Sequence, residues 1–277
     1  MFRSIRKRNG QIAPFKIEKI TNAIYKASVA VGEPSWQLAN NFSKEVIKRL
    51  EKKIKKGAVP TVEEVQDVVE QVLIEKVHPK IAKAYILYRQ HRAEIRQEKK
   101  QILNKTEIDE VDKKFDINAL RVLASRYLKK DEDGKIIESP KELFERVSVH
   151  TTLPSLFYDQ KVYQKSGGAP ELRYEEFEPE KSEGKFAIGK YKLNRFHLEA
   201  LKQLYDRFAK NRQLKVSWSA LLNLFKNGYF DKYEPEIDTY YNLMVERRFL
   251  PNTPALANFG SYLGMGSACF TLGIEDS

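Results

Sequence analysis

The sequence predicts a mainly α-helical fold with a small β component. Apolar residues recur at three- and four-residue intervals along most of the chain, which is the period of a helix face. Two segments open with complete helix-start signals, Thr61 with Glu64 and Ser139-Pro140 with Glu142. In each, the first side chain caps the helix and the carboxylate reaches back to it. The β signal is concentrated near Asn9-Gly10, between two short apolar runs.

Residues 5–15 read as a hairpin. Both central residues of a two-residue type I′ turn need positive φ, which Asn9 and Gly10 tolerate best. Pro14 lacks an N–H and so ends or edges the second strand. Four helices follow. Residues 17–31 place Ile20, Ala23, Ile24 and Ala27 on one face, and Gly32 and Pro34 close the segment. Residues 36–54 repeat the pattern through Leu38, Phe42, Val46, Ile47 and Leu50. Thr61 caps a third helix carrying Val65, Val68, Val69 and Val72. His78-Pro79 breaks the chain, and a fourth helix covers about residues 80–100 with Ala84, Ile86, Leu87 and Tyr88. A lone hairpin cannot bury a face. Laid across a helical bundle it can, and its basic residues then rim a cleft suited to an anion.

Residues 94–114 are highly charged with few apolar positions and read as a helix tail and linker. Residues 115–129 resume a helical face through Leu120, Leu123, Ala124 and Tyr127, and Asp131-Glu132-Asp133-Gly134 is a turn. Ser139 then opens a helix whose buried face holds Leu143, Phe144 and Val147. Residues 158–192, rich in Gly, Pro, Tyr and charge, read as a surface loop or small β excursion. Residues 196–209 and 235–248 read as amphipathic helices.

Charge and cysteine usage narrow the function. The net charge is +11 over 277 residues. Most of it is interleaved with acids, as in Lys48-Arg49-Leu50-Glu51-Lys52-Lys53, the pattern of a solvated helix face. The excess still suits anionic partners: nucleotides, nucleic acid or an acidic protein surface. The one cysteine, Cys269, excludes an internal disulfide framework and a Cys-based zinc cluster made by these residues alone. A cytoplasmic setting is expected, with no metal site. No apolar run approaches the ~18 residues of a membrane span, and Met1-Phe2-Arg3-Ser4 has no signal-peptide core. No membrane association is expected.

Lys7-Arg8-Asn9-Gly10, Phe15-Lys16-Ile17-Glu18-Lys19-Ile20, Val59-Pro60-Thr61 and Ala84-Tyr85-Ile86-Leu87-Tyr88-Arg89 together resemble an ATP-cone. This is a regulatory domain with a helical bundle under a β-hairpin lid, here over residues 1–95. The resemblance implies that ATP or dATP lies between lid and helices as an effector. Its candidate contacts are Lys7, Arg8, Ala13, Pro14, Phe15, Lys16, Ile17, Glu18, Lys19, Thr61 and Arg89. Basic side chains meet phosphate through charge-assisted hydrogen bonds, and helix N-termini favour anions.

Residues 118–128 and 133–147 resemble the helical opening of the large subunit of ribonucleotide reductase, here residues 115–248 after a linker at 96–114. Phe249-Leu250-Pro251-Asn252-Thr253-Pro254-Ala255-Leu256 looks like that family's first barrel strand and substrate loop. Gly266-Ser267-Ala268-Cys269-Phe270 looks like the segment of its first catalytic cysteine, and Glu275-Asp276-Ser277 like the start of its specificity-effector loop. The resemblance thus implies that residues 249–277 begin an incomplete ten-stranded α/β barrel. In the family a thiyl radical removes the 3′ hydrogen of a ribonucleotide. Two cysteines then supply two electrons as the 2′ hydroxyl leaves as water. By this resemblance Cys269 corresponds to one of that pair, a position that needs a thiol since two close thiols give up two electrons by forming a disulfide. Thr253 corresponds to a residue that holds the substrate phosphates, and Ser267, Ala268 and Cys269 to donors facing the substrate. Asp276 and Ser277 correspond to specificity-effector contacts.

The radical cysteine, the second redox cysteine and their carboxylate are not among these residues. The expectation is therefore no turnover by this chain alone, as in a split gene or a fragment cut at an intein or other boundary. The family implies further partners: a C-terminal part carrying those residues, a thioredoxin-type reductant, a second copy, and adenosylcobalamin or a radical-generating subunit. No cofactor is expected to be bound covalently. Two other classes compete. A nucleotide-sensing module without catalysis occurs in a bacterial repressor, but a zinc ribbon precedes the cone there and Met1 to Gly10 holds no cysteine. A basic nucleic-acid-binding protein would show binding with a steep salt slope.

Overall fold

The computed structural model describes residues 2–55, 57–76, 78–167 and 176–267. The chain divides into two compact units, residues 1–101 and 102–277. The described residues are mostly helical with two small antiparallel sheets.

In the first unit β1 (Ser4–Arg6) and β2 (Ile12–Pro14) form the hairpin, with Ile5 opposite Ala13. Its turn is longer than a two-residue type I′ turn. Gly10 N–H donates to Lys7 O at 3.0 Å and Lys7 N–H donates to Gln11 O at 2.8 Å. Gly10 alone in this loop has positive φ, at +76°, while Asn9 Oδ1 accepts from Gln11 N–H at 3.3 Å. This is a three-residue loop in which a left-handed glycine closes an ordinary turn. Asn9 satisfies the chain through its side chain instead of through its own left-handed backbone.

Below the hairpin lie α1 (Ile17–Ala30), α2 (Trp36–Lys53), α3 (Val62–Glu75) and α4 (Pro79–Leu103). The faces anticipated for α1 to α3 form the core, with Ile24, Val46, Leu50 and Val72 almost wholly buried, whereas α4 buries Ile81, Ala82 and Tyr85 and leaves the expected Leu87 and Tyr88 exposed. The Thr61–Glu64 capping box is present. Pro79 begins α4, where its missing N–H costs nothing. The helix runs on to Leu103, so much of the charged stretch expected as linker is helical.

The second unit has α5 (Glu110–Lys114), α6 (Ile117–Arg126), α7 (Pro140–Phe157), α8 (Pro179–Ser182), β3 (Ala187–Ile188) and β4 (Tyr191–Lys192). Then come α9 (Arg195–Lys210), α10 (Trp218–Lys226), a 3-10 turn at Tyr229–Tyr233, α11 (Glu234–Val245) and α12 (Thr253–Asn258). α7 runs between two apolar clusters. Val149, Leu153, Leu156 and Phe157 enter one with Trp218 and Phe230. Leu143, Phe144 and Val147 enter the other with Leu120, Met244 and Leu256. One departure from the sequence reading bears on the site. Residues 253–258, expected in a barrel strand and loop, are helical. Asn252 Oδ1 caps Ala255 N–H at 3.3 Å, and Pro254 fits the first helical turn.

Asp159, 4% exposed, ties the end of α7 to the 3-10 turn. It accepts from Tyr229 Oη and Tyr233 Oη at 2.9 Å each, from Lys161 N–H at 2.9 Å and from Lys232. Burial would raise its pKa, but the bonds from Lys232, Lys161 and the two tyrosines outweigh it and hold the carboxyl at about 2. The unfolded chain therefore binds more protons between about pH 4 and pH 2. The stabilisation is present above the ordinary carboxylate pKa and is lost as pH falls toward 2, on the order of 2 kcal/mol. Urea unfolding at pH 5 and pH 3 should show this loss in the native chain and a smaller one in Asp159→Asn. Equal losses would remove Asp159 as the cause.

Among the described residues, no helix is long and apolar enough to cross a membrane. No group of three or more His, Cys, Asp or Glu is arranged to hold a metal ion among them.

Candidate functional site

The hairpin is fastened to the start of α3. Arg6 N–H donates to Pro60 O at 2.8 Å, and Arg6 pairs with Thr61 in a parallel bridge. This sets Arg8 beside α3, where Nε meets Glu63 Oε1 at 2.5 Å and Nη2 donates to Gln66 Oε1 at 2.9 Å. On α4, Tyr85, Arg89, Arg92 and Arg96 recur at i, i+4, i+7 and i+11, one helix face. Together with Arg8 and Gln66 they line a cleft of about 230 Å³.

Its electrostatics are those of crowded cations. Burial pushes the Arg96 pKa down, and Arg8 and Arg92 push it further. Arg89 is also partly buried, but its bonds to Glu70 (2.8 Å) and Asp67 (2.7 Å) outweigh that and raise its pKa. Burial raises the Tyr85 phenol to about 12, so it stays a neutral hydroxyl. Such a cleft can hold an anion with several negative oxygens.

Of the residues anticipated from sequence, Arg8 and Arg89 line this cleft. Lys7, the stretch 13–19 and Thr61 are not among its lining residues. Lys7, Pro14, Lys16, Glu18 and Lys19 are exposed, and Ala13, Phe15 and Ile17 are half-buried. Phe15 packs against Phe2 with centroids 5.8 Å apart. The Thr61 hydroxyl is taken up in capping: it accepts from Glu64 N–H at 3.2 Å and donates to Glu64 Oε2 at 2.8 Å. The sequence reading missed Gln66, Tyr85, Arg92 and Arg96. The spacing from Tyr85 to Arg96 was the available signal.

In the second unit Thr253 is the first residue of α12, and its Oγ1 lies 3.2 Å from Tyr127 Oη. Asn252 Nδ2 donates to Gly266 O and Asn258 Nδ2 to Met265 O, each at 3.1 Å. α12 is thereby stapled to the return of the chain ahead of Ser267. A Cβ on Gly266 would lie 2.6 Å from the far edge of the Phe259 ring, so a larger residue there would have to push that ring aside. Thr253 and Ser267 are thus each one residue from a shared hydrogen bond, and Ser267 is exposed. Ala268, Cys269, Asp276 and Ser277 lie outside the described residues.

A buried polar cluster holds the chain just after α12. Arg146 on α7, 4% exposed, donates from Nε and Nη2 to Glu138 at 2.7 and 3.0 Å. Its Nη1 donates to Ala257 O at 3.3 Å and to Phe259 O. Gly260 O accepts from Lys129 Nζ at 3.2 Å and from Asn194 Nδ2 at 3.0 Å. His197 completes the cluster. Burial pushes its pKa down to about 3, leaving a neutral ring. Nδ1 accepts from Asn194 N–H at 3.2 Å, so Nε2–H is the donor to Arg146 O at 2.9 Å. This histidine is a fixed structural link.

Family models match both parts of the chain. The ATP cone domain model matches residues 3–94. The model described as ribonucleotide reductase, all-alpha domain, matches residues 113–264, more than half of the chain. The chain belongs to the ribonucleotide reductase family. Among curated relatives, this reductase chain is 34% identical to a vitamin B12-dependent ribonucleoside-diphosphate reductase of Thermoplasma acidophilum, over 100% of the chain and 34% of the relative. It is 28% identical to a protein of the same description from Mycobacterium tuberculosis (strain CDC 1551), over 99% of the chain and 28% of the relative. An anaerobic ribonucleoside-triphosphate reductase of Haemophilus influenzae is 30% identical over 50% of the reductase chain and 18% of its own length. The chain spans about a third of the length of the first two relatives.

Proposed function

We propose that this chain is the N-terminal portion of a ribonucleotide reductase, joining a nucleotide-sensing cone to the beginning of a substrate site. The observation that carries the reading is the arginine cleft inside the segment matched by the cone model. Residues 1–95 act as the cone, 96–114 connect it, 115–248 form the helical region and 249–277 begin the catalytic barrel. ATP or dATP binds the cone as an effector, with Arg8, Arg89, Arg92 and Arg96 toward its phosphates. Lys7, residues 13–19 and Thr61 lie on the lid side of the same nucleotide.

In the assembled enzyme, Thr253 holds the phosphates of a ribonucleoside di- or triphosphate, and Ser267, Ala268 and Cys269 face its sugar. Cys269 supplies one of the two thiols that are oxidised to a disulfide, and a thioredoxin-type protein returns it to the thiol. Asp276 and Ser277 belong to the specificity-effector loop. The remaining catalytic groups come from the portion of the relatives' length that these residues do not span. Pairing with a second copy follows the same family logic.

The relatives' description names vitamin B12, and adenosylcobalamin is the radical source proposed for the whole enzyme. The described residues do not form a place for it. One cleft of about 580 Å³ is an open groove where Phe196, Leu204, Phe259 and Leu263 sit beside His150, Glu199 and Arg207. The described residues therefore supply no step through the cofactor.

Two measurements test the reading. The chain should bind ATP saturably, and Arg8→Ala should weaken binding about tenfold, the loss expected for one charge-assisted contact. Mixed with a polypeptide supplying the rest of the relatives' length, plus adenosylcobalamin and a dithiol, it should form deoxyribonucleotides. Binding to nucleic acid with no saturable ATP binding would replace this reading with the basic-protein alternative.

A further inference from the structure

Two of the arginines that line the cleft, Arg8 and Arg89, already hold counter-charges. Glu63, Asp67 and Glu70 stand on α3 at i, i+4 and i+7, one face of that helix. Glu63 meets Arg8, and Asp67 and Glu70 both meet Arg89. Arg92 and Arg96 make no ion pair among the described residues. Four cations thus line the cleft while three carboxylates outside its lining hold two of them, so a phosphate that reaches Arg8 or Arg89 competes with those carboxylates.

A carboxylate beside a phosphate-binding arginine has two opposite effects. It orients the guanidinium, which favours binding. It also repels the phosphate and competes for the same N–H groups, which opposes binding. The geometry decides between them. Both carboxylates on Arg89 use the same nitrogen, Nη1. Either one alone keeps the guanidinium in place, so the second adds repulsion with little further orientation. Asp67 and Glu63 are about half exposed, at 51% and 47%, and exposed ion pairs hold their partners weakly.

We propose that Glu63, Asp67 and Glu70 are counter-charges that an incoming polyphosphate must displace from Arg8 and Arg89. The acidic face of α3 thereby sets the affinity of the cone for its nucleotide. A ligand with one phosphate cannot outcompete three carboxylates, whereas a triphosphate chain can. The affinity ceiling is built into the helix that faces the arginines. This inference rests on reading the cleft as an effector site, and it adds which residues limit that site.

The test is calorimetric titration of ATP and, separately, of inorganic tripolyphosphate into the full chain at fixed salt. Glu70→Gln and Asp67→Asn each keep side-chain shape and remove one charge. Each single variant should bind both ligands more tightly, by about fivefold from Coulomb's law at an effective dielectric between protein and water. The double variant Asp67→Asn/Glu70→Gln removes both anchors of Arg89 and should gain less than the two single gains combined. Circular dichroism checks that each variant is folded. Unchanged or weaker binding by both folded single variants would overturn the proposal and make the carboxylates orienting groups. If the native chain binds tripolyphosphate but not ATP, the effector reading fails while the counter-charge test stands. Failure of every form to bind tripolyphosphate overturns the proposal itself.

Discussion

Arg146→Met is expected to lower the unfolding free energy of the second unit by about 3–5 kcal/mol, the loss typical of breaking a buried ion pair from one side. Methionine nearly refills the volume, so a cavity contributes little. The loss comes from what the guanidinium leaves behind. Glu138, 8% exposed, keeps the Lys129 N–H at 3.1 Å but loses the cation that bonded both of its carboxylate oxygens. Phe259 O loses its side-chain donor while Ala257 O keeps only Ser261 Oγ at 3.3 Å, and the unsatisfied carbonyl adds about 1 kcal/mol. Urea unfolding followed through Trp218, which is buried in this unit, measures the change. Adding Glu138→Gln should recover part of it, because the stranded charge is removed while Phe259 O remains without its donor. A loss below about 1 kcal/mol, the size of a single ordinary hydrogen bond, would mean that water reaches the cluster and that Arg146 does not anchor the segment after α12.

Gly260→Ala should destabilise the same unit by about 3 kcal/mol or more, through backbone strain and overpacking together. Gly260 has φ +65°, which a side chain disfavours. Its added Cβ would run into His197 Nε2 and lie 2.6 Å from Arg146 Cγ. Neither neighbour can yield freely: His197 is hydrogen-bonded at both nitrogens and Arg146 is clamped by Glu138. Gly264→Ala is the control. Its φ is +60° and a Cβ added there would meet nothing within 4 Å, so only the backbone cost of about 1 kcal/mol remains. Equal losses at the two glycines would show that close approach to His197 and Arg146 does not matter.

Most of the fold can be read from local signals. The faces of α1 to α3, the capping boxes at Thr61 and Ser139, and the start of α4 at Pro79 each follow from spacing and side-chain chemistry within a few residues. Short elements are harder. α5 is only five residues, and its Asp109–Asp112 box sits in a run of charges that masks it. α10 follows a stretch with no Gly or Pro to mark its start. At residues 253–258 two prolines and a resemblance point to a strand and loop, and they outweigh the Asn252 cap, a helix signal. Arg8 and Arg89 can be placed from motif alone. Arg92, Arg96 and Gln66 cannot, because their role depends on three elements meeting at one point. The Arg146 cluster is less legible still. Arg146, Asn194 and His197 are ordinary residues in sequence, and only tertiary packing gives them a shared stretch of carbonyls to hold.

That clamp also has a kinetic consequence. The contacts of Arg146 with Ala257 and Phe259 span 111 and 113 residues, and that of Lys129 with Gly260 spans 131. Closing loops of this length is slow and brings little gain until the flanking helices are in place. α12, at six residues, is too short to persist by itself. It should therefore be among the last parts of its unit to order during folding. Once ordered, its amides should exchange with solvent only when the α7 and α9 anchors let go, not by fraying from one end. Thr253 would then hold its geometry or lose it in one step, with few partly ordered states between.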